Sequence, residues 1–163
     1  MNPTFPVFGF RDDVGRYGTP GLEKFEQFDF AEAFAICSGW DLKYGSRNGM
    51  VIVDANLQSW RVTRVRRLGI RPPLWSYLLR LLFQQALYRV DIELEPLEPI
   101  TLDQLKDRMA SSILLNPDDW RDDEAIAGEA GPPQDEQEML DAIVAGIRAA
   151  DSVEEIADFV GRG

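Results

Sequence analysis

Residues from Tyr88 to Leu94 alternate between apolar and charged side chains, and this alternation constrains the fold more than any other feature of the sequence. Successive side chains of a β-strand point to opposite faces of the sheet, so the pattern predicts a strand at 87–95 with one face buried. Its apolar members are Tyr88, Val90, Ile92 and Leu94. One polar face is typical of an antiparallel sheet, because one side of such a sheet can face water.

A β-hairpin is predicted just before this strand, at 50–65. Residues 50–53 form a compact apolar run, and residues 59–65 alternate, with Trp60 and Val62 on one face and Arg61 on the other. The segment 54–58 between them supplies residues that favour turns. We therefore expect an α+β fold with a small antiparallel sheet of three to five strands, and we expect Arg61 to point to solvent.

Helical periodicity in the remaining segments predicts helices on one side of that sheet. Two prolines can open a helix over 72–85, whose apolar residues recur every three or four positions. Thr101 and Gln104 match a capping box, which predicts a helix that ends at about Leu115. Two further amphipathic segments predict a C-terminal helical hairpin over 134–161.

The first 49 residues carry weaker signals. Residues 5–10 predict a strand, and Pro6 favours a position at the edge of the sheet. Residues 11–21 are rich in glycine and aspartate and predict a loop. Residues 22–36 fit both periodicities, and we favour a short helix or turn followed by a strand near 34–37.

These elements predict one core domain with an appended segment. Residues 1–115 form the α+β core, 116–133 an acidic loop or linker, and 134–163 a helical segment. Each helix of that segment has an apolar face that must be covered. We therefore expect 134–163 to dock on the core.

Composition excludes several classes of enzyme. The chain has no histidine and one cysteine, Cys37, so it can build neither a Ser-His-Asp relay nor a cysteine-cluster metal site. Cys37 ends an apolar run at 33–37, which is typical of a buried, inert thiol. We expect a non-catalytic protein that requires no cofactor and no metal.

The net charge of −11 is distributed in three blocks. Residues 1–54 have a net charge of −3, residues 55–90 carry seven arginines and no acid, and residues 91–163 carry 20 acids and 5 bases. Two interpretations follow from this layout. Either the acids neutralise the arginines within one molecule, or the arginines face a phosphate or acidic partner while the acids face a basic one.

The densest group of acids lies at 118–124. Oxygen ligands this close could hold calcium, but the spacing fails the EF-hand pattern, so a solvated loop that Trp120 anchors is the better interpretation. We expect this loop to bind a basic surface on another protein. The residues assigned to partner binding are Asp118, Asp119, Trp120, Asp122, Asp123 and Glu124.

An alternative site is the arginine cluster, which would make the chain a regulator or adaptor for phosphate-bearing ligands or nucleic acid. Arginines near Trp60 could bind phosphates while the ring stacks on bases. The cluster consists of Arg61, Arg64, Arg66, Arg67 and Arg71. A third alternative is a metal-dependent hydrolase that uses carboxylates alone.

In size, acidity and lack of a catalytic constellation, the chain resembles the bacterial immunity proteins that neutralise toxins. That resemblance implies an inhibitor that binds a basic protein. The negative net charge disfavours nucleic acid, and no apolar stretch approaches the roughly 20 residues that span a bilayer. The N-terminal residues lack the basic start of a signal peptide, so we expect a cytoplasmic protein. The sequence leaves the number of subunits open.

Overall fold

The computed structural model describes residues 2–12, 23–45, 47–68, 87–116 and 136–160. The strands are β1 (Val7–Asp12), β2 (Glu23–Phe28), β3 (Ile36–Ser38), β4 (Val51–Asp54), β5 (Ser59–Arg67) and β6 (Leu87–Pro96). The helices are α1 (Ala31–Phe34), α2 (Gly39–Tyr44), α3 (Leu102–Leu115), α4 (Glu136–Ala149) and α5 (Val153–Val160). The predicted helix at 72–85 and most of the predicted linker lie outside the described residues.

The strands form one curled antiparallel sheet in the order β2-β1-β4-β5-β6-β3. The α+β class, the hairpin that β4 and β5 form and the strand β6 confirm the sequence predictions. The sheet is larger than predicted, however, because the described residues contain six strands where three to five were expected. The additional strand is β2, whose apolar residues do not alternate, so alternation alone does not reveal it.

β1 corrects a second prediction, since it lies inside the sheet and not at its edge. It pairs with β2 on one side and with β4 on the other. Pro6, which suggested an edge position, precedes the first residue of the strand and therefore removes no hydrogen bond from the ladder. The strand is covered on both faces, and Val7 and Phe8 are both fully buried.

The region 22–36 also differs from the sequence interpretation. Residues 23–28, for which a helix or turn was favoured, form β2 at one edge of the sheet. Phe25 and Phe28 are three positions apart, so the apolar residues do not follow strand alternation. The short helix and the strand after it are present as α1 and β3.

Helices pack on both faces of the sheet and not on one side as predicted. On one face, α3, α4 and α5 cover Phe8, Phe10 and Val53. On the opposite face, Phe34 of α1 packs in a second cluster with Ile52 and with other residues of β1, β2, β4 and β5. Because β1 and β4 are apolar on both sides, each face needs its own cover.

The capping box before α3 is confirmed. The backbone N–H of Gln104 donates to Thr101 Oγ1 at 3.2 Å, and the backbone N–H of Thr101 donates to Gln104 Oε1 at 2.8 Å. These two bonds satisfy donors that the first turn of a helix leaves free. A helix therefore begins directly after the loop that leaves β6.

The C-terminal helices share their apolar side with α3. Leu140 and Ile147 of α4 and Ile156 of α5 are buried in one cluster with Leu105 and Met109. The three helices therefore form one layer over β1 and β4. In the described part of the chain, no helix has the length and apolarity needed to cross a membrane.

Candidate functional site

The predicted arginine cluster lies on β5, directly opposite the acids of β6. Cross-strand pairs bring Arg61 against Glu95, Arg64 against Glu93, and Arg66 against Asp91. Alternation places these side chains on the face that α3–α5 cover elsewhere, and the three arginines remain exposed there. We call this group, together with Arg89 of β6, the charged ladder.

A β-bulge keeps the arginines of the charged ladder on one face. The pairing register shifts between Val62 and Arg64, and the Thr63 hydroxyl donates to the backbone carbonyl of Glu93 at 3.1 Å. One extra residue reverses the alternation beyond it. Arg64 consequently joins Arg61 on the charged face, while Val65 packs against the apolar cluster of the other face.

Electrostatics within the charged ladder favour internal pairing. Arg66 forms an ion pair with Glu93, although its direct cross-strand neighbour is Asp91. The ladder holds four arginines and three carboxylates, so its net charge is close to neutral. Among the arginines of the charged ladder, Arg66 forms an ion pair with a described residue, whereas Arg61 and Arg64 have carboxylates only as cross-strand neighbours.

Arg67 is separated from the other arginines. It follows Arg66 by one residue and therefore lies on the opposite face, where its guanidinium carbon is 4.1 Å from the centre of the Tyr88 ring. Such a stack stabilises a cation by interaction with the π-face. The structure thus divides the predicted cluster, while Arg71 lies outside the described residues.

The acidic segment 118–124 lies outside the described residues, but the helices on either side of it expose further acids. Eight carboxylate residues of α3–α5 and the turn between α4 and α5 are exposed. They are Asp103, Asp107, Glu138, Asp141, Asp151, Glu154, Glu155 and Asp158. We call this set the helical acidic surface.

The described parts of these helices carry three basic residues, Lys106, Arg108 and Arg148, against the eight acids. The Arg108 guanidinium donates from Nε and Nη2 to the carboxylate of Glu23 on β2, at 2.8 and 2.6 Å. Lys106 Nζ donates to the backbone carbonyl of Arg148 at 3.2 Å. Arg108 is therefore committed to a carboxylate outside the helical layer.

Sequence reasoning missed the helical acidic surface because it concentrated on the densest run of acids. The available signal was weaker but present. Asp103 and Asp107 are four residues apart and thus on one side of a helix, away from the buried Leu105 and Met109. The same test places Glu154 and Asp158 together on the exposed side of α5.

A cavity of about 360 Å³ opens between α1, β3 and the end of the charged ladder. Its charged lining residues are Glu32 and Arg89, and the rest of the lining includes Ala31, Ile36 and Leu68. This lining offers one carboxylate, whereas acid–base chemistry by paired carboxylates needs two such groups of different proton affinity. Within the described ranges, no three potential metal-ligating side chains come together.

Comparison of the chain with protein-family models, with curated proteins and with solved structures finds no match. Function is therefore inferred from the distribution of charge and apolar surface. Two surfaces stand out in this respect: the charged ladder, which is nearly neutral, and the helical acidic surface, which is strongly negative.

Proposed function

We propose that this chain is a non-catalytic binding protein of the immunity or inhibitor type, and that it binds a basic protein through its acidic C-terminal third. One observation carries the proposal. Three exposed arginines of β5, Arg61, Arg64 and Arg66, lie opposite carboxylates of β6, whereas the acids of α3–α5 face solvent. Carboxylates thus lie beside three arginines of the positive block, while the acids of the helical acidic surface remain available to a partner.

The excess of negative charge outside the charged ladder is large. Beyond β6, residues 98–163 carry 17 acids and 5 bases, a net charge of −12. A surface of one sign attracts a partner of the opposite sign and raises the rate of encounter. The same charge repels the phosphates of nucleic acid, so a basic protein is the favoured partner.

The segment 118–124 belongs to the same proposed interface. It follows α3 and precedes α4 in the chain, so it connects two helices that contribute to the helical acidic surface. Its five carboxylates would add to the field of that surface. Trp120 would supply a large aromatic contact, of the kind that is enriched at the centres of protein interfaces.

A non-catalytic role is supported by the chemistry of the side chains. The sequence contains no histidine, and its single thiol, Cys37, is only 2% exposed. A thiol nucleophile needs access to substrate and a neighbouring base or cation that favours the thiolate. Binding without turnover is therefore the function we propose.

One observation favours the alternative, in which phosphate-bearing ligands bind the arginines. Arg61 and Arg64 are exposed and form no side-chain hydrogen bond or ion pair with any described residue. Against this, Glu95 and Glu93 lie directly across the sheet from them. A phosphate at this position would have to approach two carboxylates, which reduces its affinity.

The decisive experiment is capture of partners from the native cell by the immobilised full-length chain and by three variants. The first variant neutralises the five acidic side chains of the segment 118–124. The second neutralises four of the eight acids of the helical acidic surface through Asp103→Asn, Asp107→Asn, Glu154→Gln and Asp158→Asn. The third is a matched control that removes two positive charges through Arg61→Gln and Arg64→Gln.

We expect the native chain and the arginine variant to retain a protein of basic isoelectric point. The two variants that have lost acidic charges should not retain it. Circular dichroism and thermal unfolding of each variant establish that the fold is intact. A ligand that is lost from the arginine variant and kept by both acidic variants would replace this proposal with the phosphate-binding alternative. Retention by all four proteins would contradict both.

A further inference from the structure

The guanidinium of Arg47 is buried in the turn between α2 and β4. Its side chain is only 10% exposed, and its Nη1 donates to the backbone carbonyl of Phe34, at the end of α1, over 2.9 Å. The guanidinium carbon also lies 4.8 Å from the centre of the Phe28 ring. Arg47 thus connects this turn to α1 and to β2.

The remaining hydrogen-bonding capacity of Arg47 is only partly used. Its Nη2 is 4.0 Å from Glu26 Oε2, which is beyond hydrogen-bond length, and the Glu26 carboxylate forms a closer ion pair with Arg11 at 2.5 Å. Arg47 Nε is fully buried and has no hydrogen-bond partner among the described residues. Leaving a buried donor without an acceptor is costly, so almost all such groups find a partner in protein or water.

A small cavity of about 20 Å³ lies beside this side chain. It is lined by Cys37, Leu42, Gly45, Arg47, Asn48 and Val65. A cavity holds a water molecule when it offers about 10–15 Å³ and two or more polar partners. The volume meets the first condition, and Arg47 with Asn48 and the backbone of Gly45 can meet the second.

We infer that this cavity binds one ordered water molecule, which accepts a hydrogen bond from Arg47 Nε. The water lies between the turn after α2 and the strands β3 and β5, which supply Cys37 and Val65 to the lining. The proposal is independent of the proposed function, since it concerns the opposite side of the sheet from the helical acidic surface.

A monatomic anion is the competing occupant, because the site contains a buried cation. Three groups already stabilise the charge of Arg47: the Phe34 carbonyl, the π-face of Phe28 and the carboxylate of Glu26. The need that remains is an acceptor for one N–H group. A neutral water satisfies that need without the cost of desolvating an anion.

A high-resolution crystal structure of the full chain, with a second crystal soaked in bromide, tests the inference. We expect a density peak at about 2.7–3.2 Å from Arg47 Nε, and no anomalous signal from bromide at that position. An anomalous peak there would assign the site to an anion and overturn the proposal. Absence of density beside Nε, or a protein oxygen bonded to it, would also overturn it.

Water-oxygen magnetic relaxation dispersion supplies a measurement in solution. The native protein should show the signal of a long-lived internal water, and the Arg47→Lys variant should lack that signal. Lysine keeps the positive charge but places no hydrogen-bond donor at the position of Nε. Arg66→Lys is the matched control, since Arg66 is exposed, and it should retain the signal. Equal signals from the two variants would contradict the assignment, and the crystal structure of the native protein decides the matter if Arg47→Lys does not fold.

Discussion

The sulfur of Met50 lies 2.8 Å from the point at which a Cβ atom of Gly9 would stand. Met50 is 1% exposed, and a ring carbon of Phe28 lies 3.2 Å from the same point. Both side chains are buried, so a methyl group at position 9 requires them to repack within the core. Packing therefore favours glycine at position 9, because β1 lies inside a sheet that is covered on both faces.

Gly9→Ala should consequently destabilise the protein. Inserting a methyl group into a close-packed core costs about 1–3 kcal/mol, which denaturant unfolding measures directly. Met50→Ala makes room at the same place, so the double variant should lose less stability than the two single variants together. Strict additivity of the two changes would contradict the contact.

Asp54 is a second residue whose removal should lower stability. Its side chain is buried and accepts backbone N–H donors from Asn56 at 2.9 Å, from Gln58 at 3.0 Å and from Thr4 at 3.2 Å. Asp54→Ala leaves these donors without their acceptor, and we expect a loss of about 2–3 kcal/mol in the free energy of unfolding.

Asp54→Asn is the matched control. The bonds from Asn56 and Gln58 both end on Oδ1, which an asparagine side chain can reproduce, whereas the bond from Thr4 ends on Oδ2. The asparagine variant should therefore be more stable than the alanine variant. Equal destabilisation of the two would show that the carboxylate does not organise this turn.

The ion pair between Glu23 and Arg108 should contribute measurably to the docking of α3 on β2. It is bidentate, and Arg108 also stacks on Phe10, with 4.2 Å between the guanidinium carbon and the ring centre. Both side chains are about 30% exposed, so solvent reduces the energy of the pair. A double-mutant cycle with Glu23→Gln and Arg108→Gln should give a coupling of about 0.5–1 kcal/mol.

The ion pair between Arg66 and Glu93 provides the comparison for that cycle. Its side chains are 51% and 41% exposed, and the same substitutions there should give a smaller coupling. Added salt should weaken the exposed pair more than the partly buried one. A larger coupling energy for Arg66–Glu93 than for Glu23–Arg108 would contradict the expectation that the less exposed pair is the stronger one.

The sequence predicts those parts of the fold in which one local pattern decides the structure. Alternation identifies β6, and the Thr101–Gln104 capping box identifies the start of α3. β1 is apolar on both faces, so its sequence does not distinguish the centre of the sheet from an edge. β2 is recognisable only through tertiary contacts, such as those of Glu23 with α3.

The candidate site was predictable to a smaller extent. Charge blocks in the sequence identify the arginines, but their pairing depends on the register between β5 and β6 and on the bulge at Thr63. The burial of Arg47 has no local signal, since the side chains around it come from β2, α1 and β3. Long-range register and packing are decided by the whole chain and not by a short window.

The final prediction concerns how the charges act once a basic partner has been captured. Exposed charges at an interface steer encounter, so neutralising Asp118, Asp119, Asp122, Asp123 and Glu124 should slow association about tenfold at low salt and change dissociation much less. Stopped-flow measurements at several salt concentrations should show this difference shrink as salt screens the field. Charge reversal at Arg64 and Arg66 should leave association unchanged or make it faster. The reversal makes the chain more negative, and its partner is a basic protein. A change in the dissociation rate that does not depend on salt would show that the acids act through direct, desolvated contacts. That result would contradict electrostatic steering by the acidic segment.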